Sequence, residues 1–274
     1  MIRRLFKNLT LLDPRDAPEA SADLERDGYA LLPQVFTREE VAELRDEIDA
    51  LFDDSPPERE RDDKAEFRYE MLNRSAACQA AVMHPGILAV IEPLLGEDCH
   101  VIANTAWRNP PDFKGGPWHC DAGPHVPRPE GVPWDDRIPY PIFAIGAHLM
   151  LQDCTRADGP TAVVPGSHRS GRLAPFDKMT DENLSYDGRP PVVVEAKAGD
   201  VALFASDAWH RGLPAGEGAR GRYFLQVHYG RRDIAQRIRT TAEVNHASPE
   251  AIARATTERA RTILGLHDAF FYDR

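Results

Sequence analysis

Residues 118–121 read Trp118-His119-Cys120-Asp121, and His210 and Arg222 follow much later in the chain. In an extended chain alternate side chains point to the same face, so we expect His119 and Asp121 to lie together. Two imidazoles and one carboxylate form the facial triad that binds non-haem Fe(II) and leaves coordination positions open. The sequence therefore predicts a catalytic iron site.

Chance is the alternative explanation, because the chain has 10 histidines and a short motif proves little without its context. That context favours a metal site. Strand-like apolar runs at 101–107 and 201–204 precede the two ligand groups, and Gly199-Asp200 introduces the second run. We therefore expect both groups to lie just beyond the ends of strands.

Arg222 opens a third strand-like run, 222–229, after a segment rich in glycine with one proline. Such a segment is typical of a turn, so we expect a β-hairpin that places Arg222 beside His210. A guanidinium binds a carboxylate through two parallel hydrogen bonds, which a lysine cannot do. An iron site with such a receptor beside it indicates a keto-acid cosubstrate.

Four further segments resemble the phytanoyl-CoA dioxygenase family of Fe(II)- and 2-oxoglutarate-dependent oxygenases. Residues 27–33 and 36–41 are similar to its opening strand and first helix, residues 158–169 to its mid-domain signature, and residues 199–201 to the segment before its distal histidine. The resemblance implies Fe(II), 2-oxoglutarate and O₂, and oxidation of a small-molecule metabolite with release of succinate and CO₂. The retained Asp121 favours hydroxylation over halogenation, and desaturation or ring chemistry stays open.

The resemblance also implies roles for single residues. The metal ligands map onto three residues, His119, Asp121 and His210. The arginine that binds the distal carboxylate of 2-oxoglutarate falls by the family's spacing on Gly221, so Arg222 and Arg220 are both candidates, and Arg222 is preferred because it begins a strand. Related enzymes use the strand before the iron pair for cosubstrate or substrate contacts, which here assigns Asn104 and Thr105 to 2-oxoglutarate and Trp107 to substrate.

The segment 123–141 contains six prolines, so it forms neither a regular helix nor a central strand. We expect a loop at the mouth of the barrel; loops of this length are often lids or binding loops, and a plain connector is the alternative. Its aromatic and cationic side chains, suited to a substrate with polar or acidic groups, are His125, Arg128, Trp134 and Arg137.

Three histidines outside the triad need separate readings. His148 is a candidate substrate contact, with a core position as the favoured alternative, and His168 is expected to be structural. His228 is not expected to bind metal, because roughly 20 Å of strand separates it from Arg222.

The order of elements predicts a mainly β protein with a double-stranded β-helix (jelly-roll) core and flanking N-terminal and C-terminal helices. We expect residues 1–274 to form one domain, with a helical flank at about 1–98, the core at about 99–230 and a helical tail at about 231–274. Thr37 and Glu40 form a capping box before a helix over 38–52, in which Leu51 belongs to the apolar face. Further helices are predicted over 85–95 and from Ser248-Pro249 to Gly265. The residues expected to share one face of the last helix are Ile252, Thr256, Arg259 and Ile263.

The net charge of −11 disfavours nucleic acids and anionic membranes as partners, and the family resemblance implies a small-molecule substrate. We expect no signal peptide, no membrane helix, four reduced cysteines and a cytoplasmic location; the oligomeric state is left open. Two other functions remain: a cupin-like metal enzyme without 2-oxoglutarate, and a non-catalytic binding module on the same barrel. The arginine counts against the first and the intact triad against the second.

Overall fold

The computed structural model describes residues 18–54, 65–97, 99–236, 249–257 and 260. The described helices are α1 Glu19–Asp27, α2 Arg38–Asp54, α3 Met71–Arg74, α4 Ala76–Ala81, α5 Pro85–Leu95 and α6 Pro249–Arg254. The described strands are β1 Tyr29–Leu32, β2 Glu66–Tyr69, β3 His100–Asn109, β4 Ala144–Met150, β5 Thr161–Val163, β6 Val192–Val194, β7 Val201–Ala205, β8 His210–Gly212 and β9 Arg222–Gly230. No helix in these ranges is long and apolar enough to cross a bilayer.

The strands form two antiparallel sheets. The larger sheet has the order β1-β7-β4-β9-β3-β2, and the smaller has the order β6-β5-β8. Arg222 of the larger sheet donates a hydrogen bond to Thr161 of the smaller one, so the two sheets face each other across an interior. The predicted mainly β fold, a double-stranded β-helix with flanking helices, is confirmed.

The amphipathic helix α2 covers one face of the larger sheet. The capping box is present, because the Thr37 backbone N–H donates to Glu40 (2.8 Å) and the Glu40 N–H donates to the Thr37 hydroxyl (3.2 Å). Its buried side chains are Val41, Leu44, Ile48 and Phe52. Burying such a side chain contributes roughly 1.5–3 kcal/mol. The predicted helix is confirmed and continues to Asp54, with Phe52 rather than the half-buried Leu51 completing its apolar face.

The structure gives the boundaries of the two other predicted helices, α5 and α6. Helix α5 ends before Gly96, whose φ of 98° suits glycine, and its predicted limits are confirmed. Helix α6 begins at Pro249 as predicted but ends at Arg254, so Thr256 lies beyond it. The remaining positions of that prediction, Arg259, Ile263 and Gly265, lie outside the described residues.

The prediction that β8 and β9 form a hairpin is wrong. β8 pairs with β5 in the smaller sheet, whereas β9 lies between β3 and β4 in the larger one. Because both edges of β9 are already hydrogen-bonded, none is left for β8, and the glycine-rich segment instead carries the chain from one sheet to the other. The N-terminal flank also contributes β1 and β2 as edge strands, and β2 was not predicted.

Candidate metal centre

The three predicted ligands lie together at one end of the interior. His119 and His210 are joined by a two-way backbone bridge, with N···O distances of 2.9 Å in both directions. His119 was expected just beyond the end of a strand, but β3 ends at Asn109 and the extended pairing of His119 is limited to this bridge. Asp121, two residues on, still points to the same place. One ligand atom from each of His119, Asp121 and His210 lies within 4.8 Å of the others.

Backbone carbonyls orient both imidazoles. Nδ1 of His119 is 2.9 Å from the Pro117 carbonyl, and Nδ1 of His210 is 3.0 Å from that of Ala208. A carbonyl only accepts, so each Nδ1 carries the proton and each Nε2 presents a lone pair. The two Nε2 atoms are 3.7 and 3.6 Å from the oxygens of Asp121, too far for hydrogen bonds. This donor set fits a divalent cation such as Fe(II) placed among the three side chains.

The protonation states also suit a cation. Burial, with a contribution from His210, lowers the pKa of His119 to about 4, so this imidazole is neutral at pH 7. Burial opposes ionisation of Asp121, but the neighbouring His210 and His228 outweigh it and hold the pKa of the carboxyl well below its usual range. Burial likewise opposes the charged form of His210, whose pKa Asp121 nevertheless raises. The site therefore presents one carboxylate.

A row of contacting rings runs from the triad to Arg222. His210 stacks on Phe204 at 5.8 Å, and His148 packs against both Phe204 (5.2 Å) and Phe224 (4.5 Å). The Arg222 guanidinium then lies 4.7 Å above the Phe224 ring. His148 therefore lies between the triad and Arg222, where burial holds its pKa well below the usual value.

The surroundings of the two candidate arginines differ. Arg222 is buried, and its Nη1 donates to the Thr161 hydroxyl at 2.7 Å. No carboxylate among the described residues pairs with it, its Nε has no hydrogen-bond partner there, and burial lowers its pKa to about 10. Arg220 instead forms an ion pair with Asp158 at 3.0 Å, and its side chain is 55 % exposed. Of these two arginines, Arg222 is therefore the buried one, and no carboxylate among the described residues pairs with it.

Asn104, Thr105 and Trp107, which were expected to contact cosubstrate or substrate, lie on opposite faces of β3. Thr105 pairs with Gln226, and the Trp107 indole N–H donates to the Gln226 side chain at 2.8 Å, so both face the interior. Asn104 pairs with Val227 on the other face, and its amide donates to the Gln226 backbone carbonyl. The expected contact of Asn104 with the cosubstrate is therefore corrected, because the alternation of side chains turns it away from the triad.

The loop 123–141 contains no helix or strand, as predicted. The His125 imidazole is hydrogen-bonded to Asp207 through Nδ1. The Arg128 guanidinium lies 5.2 Å from the Trp134 ring. Their contact with substrate stays a prediction.

Arg137 is not brought to the site. Its side chain is 89 % exposed and pairs with Asp135 inside the same turn. This placement does not support the expectation that Arg137 binds substrate, because a short turn satisfies the charge locally and points it to solvent.

The sequence reading missed His228. It is outside the triad, as expected, but its Nε2 lies 2.8 Å from Oδ2 of Asp121. The distance between His228 and Arg222 does not show whether His228 lies near the metal site, because β9 runs past both the arginine and the metal ligands. The available signal was the shared strand face of residues 222, 224, 226 and 228.

Comparison with known proteins gives matches in sequence and in structure. The family model for phytanoyl-CoA dioxygenase matches residues 24–221. The ectoine dioxygenase of Nocardia farcinica is 28 % identical over 161 residues, which covers 56 % of this chain and 51 % of that protein. The chain thus spans about half the length of the curated relatives it matches.

Solved structures share the fold. The epimerase SnoN in complex with Fe³⁺, alpha ketoglutarate and nogalamycin RO has a TM-score of 0.62 at 22 % identity, covering 80 % of this chain and 85 % of that one. HygX from Streptomyces hygroscopicus with nickel, 2-oxoglutarate and hygromycin B bound has a TM-score of 0.63 at 16 % identity, covering 80 % and 89 %. Because the family model matches well over half of the chain, this protein belongs to the phytanoyl-CoA dioxygenase family.

Proposed function

We propose that this protein is an Fe(II)- and 2-oxoglutarate-dependent dioxygenase that hydroxylates a small-molecule metabolite. The observation that carries the proposal is a three-residue metal site connected by a row of rings to a buried arginine. No carboxylate in the described part of the chain pairs with this arginine. A metal site alone would fit a cupin-like hydrolase or isomerase equally well. The arginine adds the receptor that a dicarboxylic keto acid requires.

In this proposal, His119, Asp121 and His210 would hold Fe(II) and leave coordination positions open for other ligands. Arg222 binds the distal carboxylate of 2-oxoglutarate, assisted by the neighbouring Thr161 hydroxyl. Phe204 and Phe224 line the space between the two ends and exclude water from it. Bound iron, with 2-oxoglutarate and O₂, supplies the oxidising chemistry that yields succinate, CO₂ and hydroxylated product.

Substrate selection is assigned to the loop 123–141. Proline restricts its backbone, and Trp134 is fixed by a hydrogen bond from its indole to the Ile138 carbonyl. Thr105, Trp107 and His148 add interior groups whose contacts with cosubstrate or substrate are also proposed. The ectoine dioxygenase relatives act, by their name, on a small molecule, which supports this substrate class.

We further propose that residues 1–274 work as one domain in the cytoplasm. Strands β1 and β2 of the N-terminal flank belong to the same sheet as the core strands, which favours a single unit. The four cysteines are free thiols, which is typical of a reducing compartment.

The test is succinate release. Protein loaded with Fe(II) receives 2-oxoglutarate in air, and candidate metabolites are added one at a time. We expect one class of metabolite to stimulate succinate formation by wild type and by Arg220→Gln, a matched control outside the site, but not by Asp121→Ala. Turnover of a metabolite without 2-oxoglutarate would favour the cupin-like alternative. Succinate release that survives Asp121→Ala would refute the proposed centre.

A further inference from the structure

His228 is a hydrogen-bond partner of Asp121, the carboxylate that is proposed to bind the metal. Its Nε2 lies 2.8 Å from Oδ2 of Asp121, and both side chains are buried. The family's ligand set leaves this histidine without a role. The inference drawn from it rests on the proposed function, because it concerns how Asp121 binds the metal.

The contact fixes the tautomer of His228. An ionised carboxylate can only accept hydrogen bonds, so the proton must lie on Nε2, which donates to Asp121. A protonated ring nitrogen has no lone pair for a metal. His228 is therefore excluded as a fourth ligand through Nε2, in agreement with the three-residue cluster found among the described residues.

The same contact makes the two oxygens of Asp121 unequal. Oδ2 accepts from His228, whereas Oδ1 lies 3.7 Å from Nε2 of His119 and accepts no described hydrogen bond. Oδ2 also lies 3.6 Å from Nε2 of His210, but one of its lone pairs is committed to His228. Oδ1 is therefore the oxygen with both lone pairs available for the metal. A carboxylate that coordinated through both oxygens would occupy a second position that the reaction needs for other ligands.

The neighbouring strand makes room for this arrangement. Gly146 of β4 pairs with His228, and a Cβ built on this glycine would lie 3.3 Å from the His228 ring and 3.5 Å from Oδ2 of Asp121. Contacts of 3.3 Å are tighter than ordinary van der Waals packing, so a side chain at residue 146 would require the imidazole to shift by a few tenths of an ångström.

We propose that His228 is a positioning residue that holds Asp121 in coordination through Oδ1 alone and so keeps the adjacent metal position open. It acts through Asp121 and touches neither cosubstrate nor substrate.

The test uses Co(II) as a spectroscopic probe of the metal site. Wild type, His228→Phe and His228→Gln are titrated with Co(II), and the visible ligand-field absorption gives affinity and coordination together. Phenylalanine keeps the ring but removes the donor, whereas glutamine offers an N–H at a comparable reach. Thermal unfolding of each metal-free variant serves as the control for folding.

We expect His228→Phe to bind Co(II) roughly 10- to 100-fold more weakly, the usual effect of losing a partner of a metal ligand, and to show an altered spectrum. His228→Gln is expected to recover most of the affinity and the wild-type spectrum. If His228→Phe does not fold, Gly146→Ala moves the imidazole without removing it and should give the same altered spectrum.

Equal affinity and identical spectra for wild type and His228→Phe would overturn the proposal, and so would an equal loss in the phenylalanine and glutamine variants. Failure of wild type to bind Co(II) would instead refute the metal centre itself. The two failures are therefore distinguishable.

Discussion

Replacing Arg222 by glutamine removes the proposed receptor for the cosubstrate while keeping a polar side chain. Arg222 is buried, and its guanidinium has one described hydrogen bond, to Thr161. Its remaining donors are free for a bidentate contact with a carboxylate. Glutamine offers one neutral amide group instead, so the expected loss is about 1.5–3 kcal/mol, the range for hydrogen bonds to charged groups. This corresponds to roughly 10- to 150-fold weaker binding of 2-oxoglutarate.

The assay is calorimetric titration of 2-oxoglutarate into protein loaded with Mn(II), which keeps the metal site filled without turnover. Arg220→Gln is the matched control, because that arginine pairs with Asp158 and its side chain is 55 % exposed. We expect its affinity to stay close to that of wild type. A larger loss in Arg220→Gln than in Arg222→Gln would refute the assignment of the receptor.

Stability provides a second readout for the same variant. Burial lowers the pKa of Arg222 to about 10, which means that the folded protein disfavours this charge while no carboxylate accompanies it. Removing the charge should therefore not lower the melting temperature of the cosubstrate-free protein. The rise in melting temperature on adding 2-oxoglutarate should shrink in Arg222→Gln, because that rise follows the affinity. A variant that melts early but binds 2-oxoglutarate normally would show that Arg222 is structural.

Four other variants test separate features of the protein. His210→Ala should lower Fe(II) affinity by at least roughly 10- to 100-fold, since even partners of metal ligands contribute that much; wild-type affinity in a metal titration would contradict the triad. Trp134→Ala should impair substrate-stimulated succinate release without changing Mn(II) or 2-oxoglutarate binding, whereas Arg137→Ala, an exposed side chain paired within its own turn, should match wild type in the same assay. Asp158→Asn should destabilise the protein at neutral pH by roughly 1–3 kcal/mol, because the buried carboxyl accepts hydrogen bonds from Thr155 and Arg220. Although burial opposes ionisation, those contacts hold the pKa of Asp158 below its usual value. The difference from wild type in melting temperature should therefore narrow only as the pH falls below about 4, where this carboxyl begins to protonate in the unfolded chain.

The sequence predicted the elements whose signals are local. The capping box at Thr37 and Glu40 and the apolar face of α2 depend on residues within one helix, and the structure has both. Gly96 likewise ends α5 where a helix stop was expected. Residue types and family spacing were enough to nominate His119, Asp121 and His210, which the structure brings within one cluster.

Prediction from the sequence failed for the features that depend on which strands pair. The glycine-rich segment before Arg222 has the composition of a hairpin turn, but the pairing of β9 with β3 and β4 turns it into a crossover between sheets. The register of β3 determines that Asn104 faces away from the triad while Thr105 and Trp107 face it. This register cannot be predicted from amino-acid composition. His228 was missed for the same reason, since its contact with Asp121 joins residues separated by 107 positions.

The central claim is that iron and 2-oxoglutarate bind together at the triad and Arg222. Its most direct test is the visible absorption of wild-type protein loaded with Fe(II) without oxygen and then titrated with 2-oxoglutarate. We predict a metal-to-ligand charge-transfer band that saturates at one 2-oxoglutarate per chain, that is absent in Asp121→Ala and that requires much more 2-oxoglutarate in Arg222→Gln. No band in a folded wild-type protein that binds Fe(II), or a band unchanged in both variants, would contradict the account.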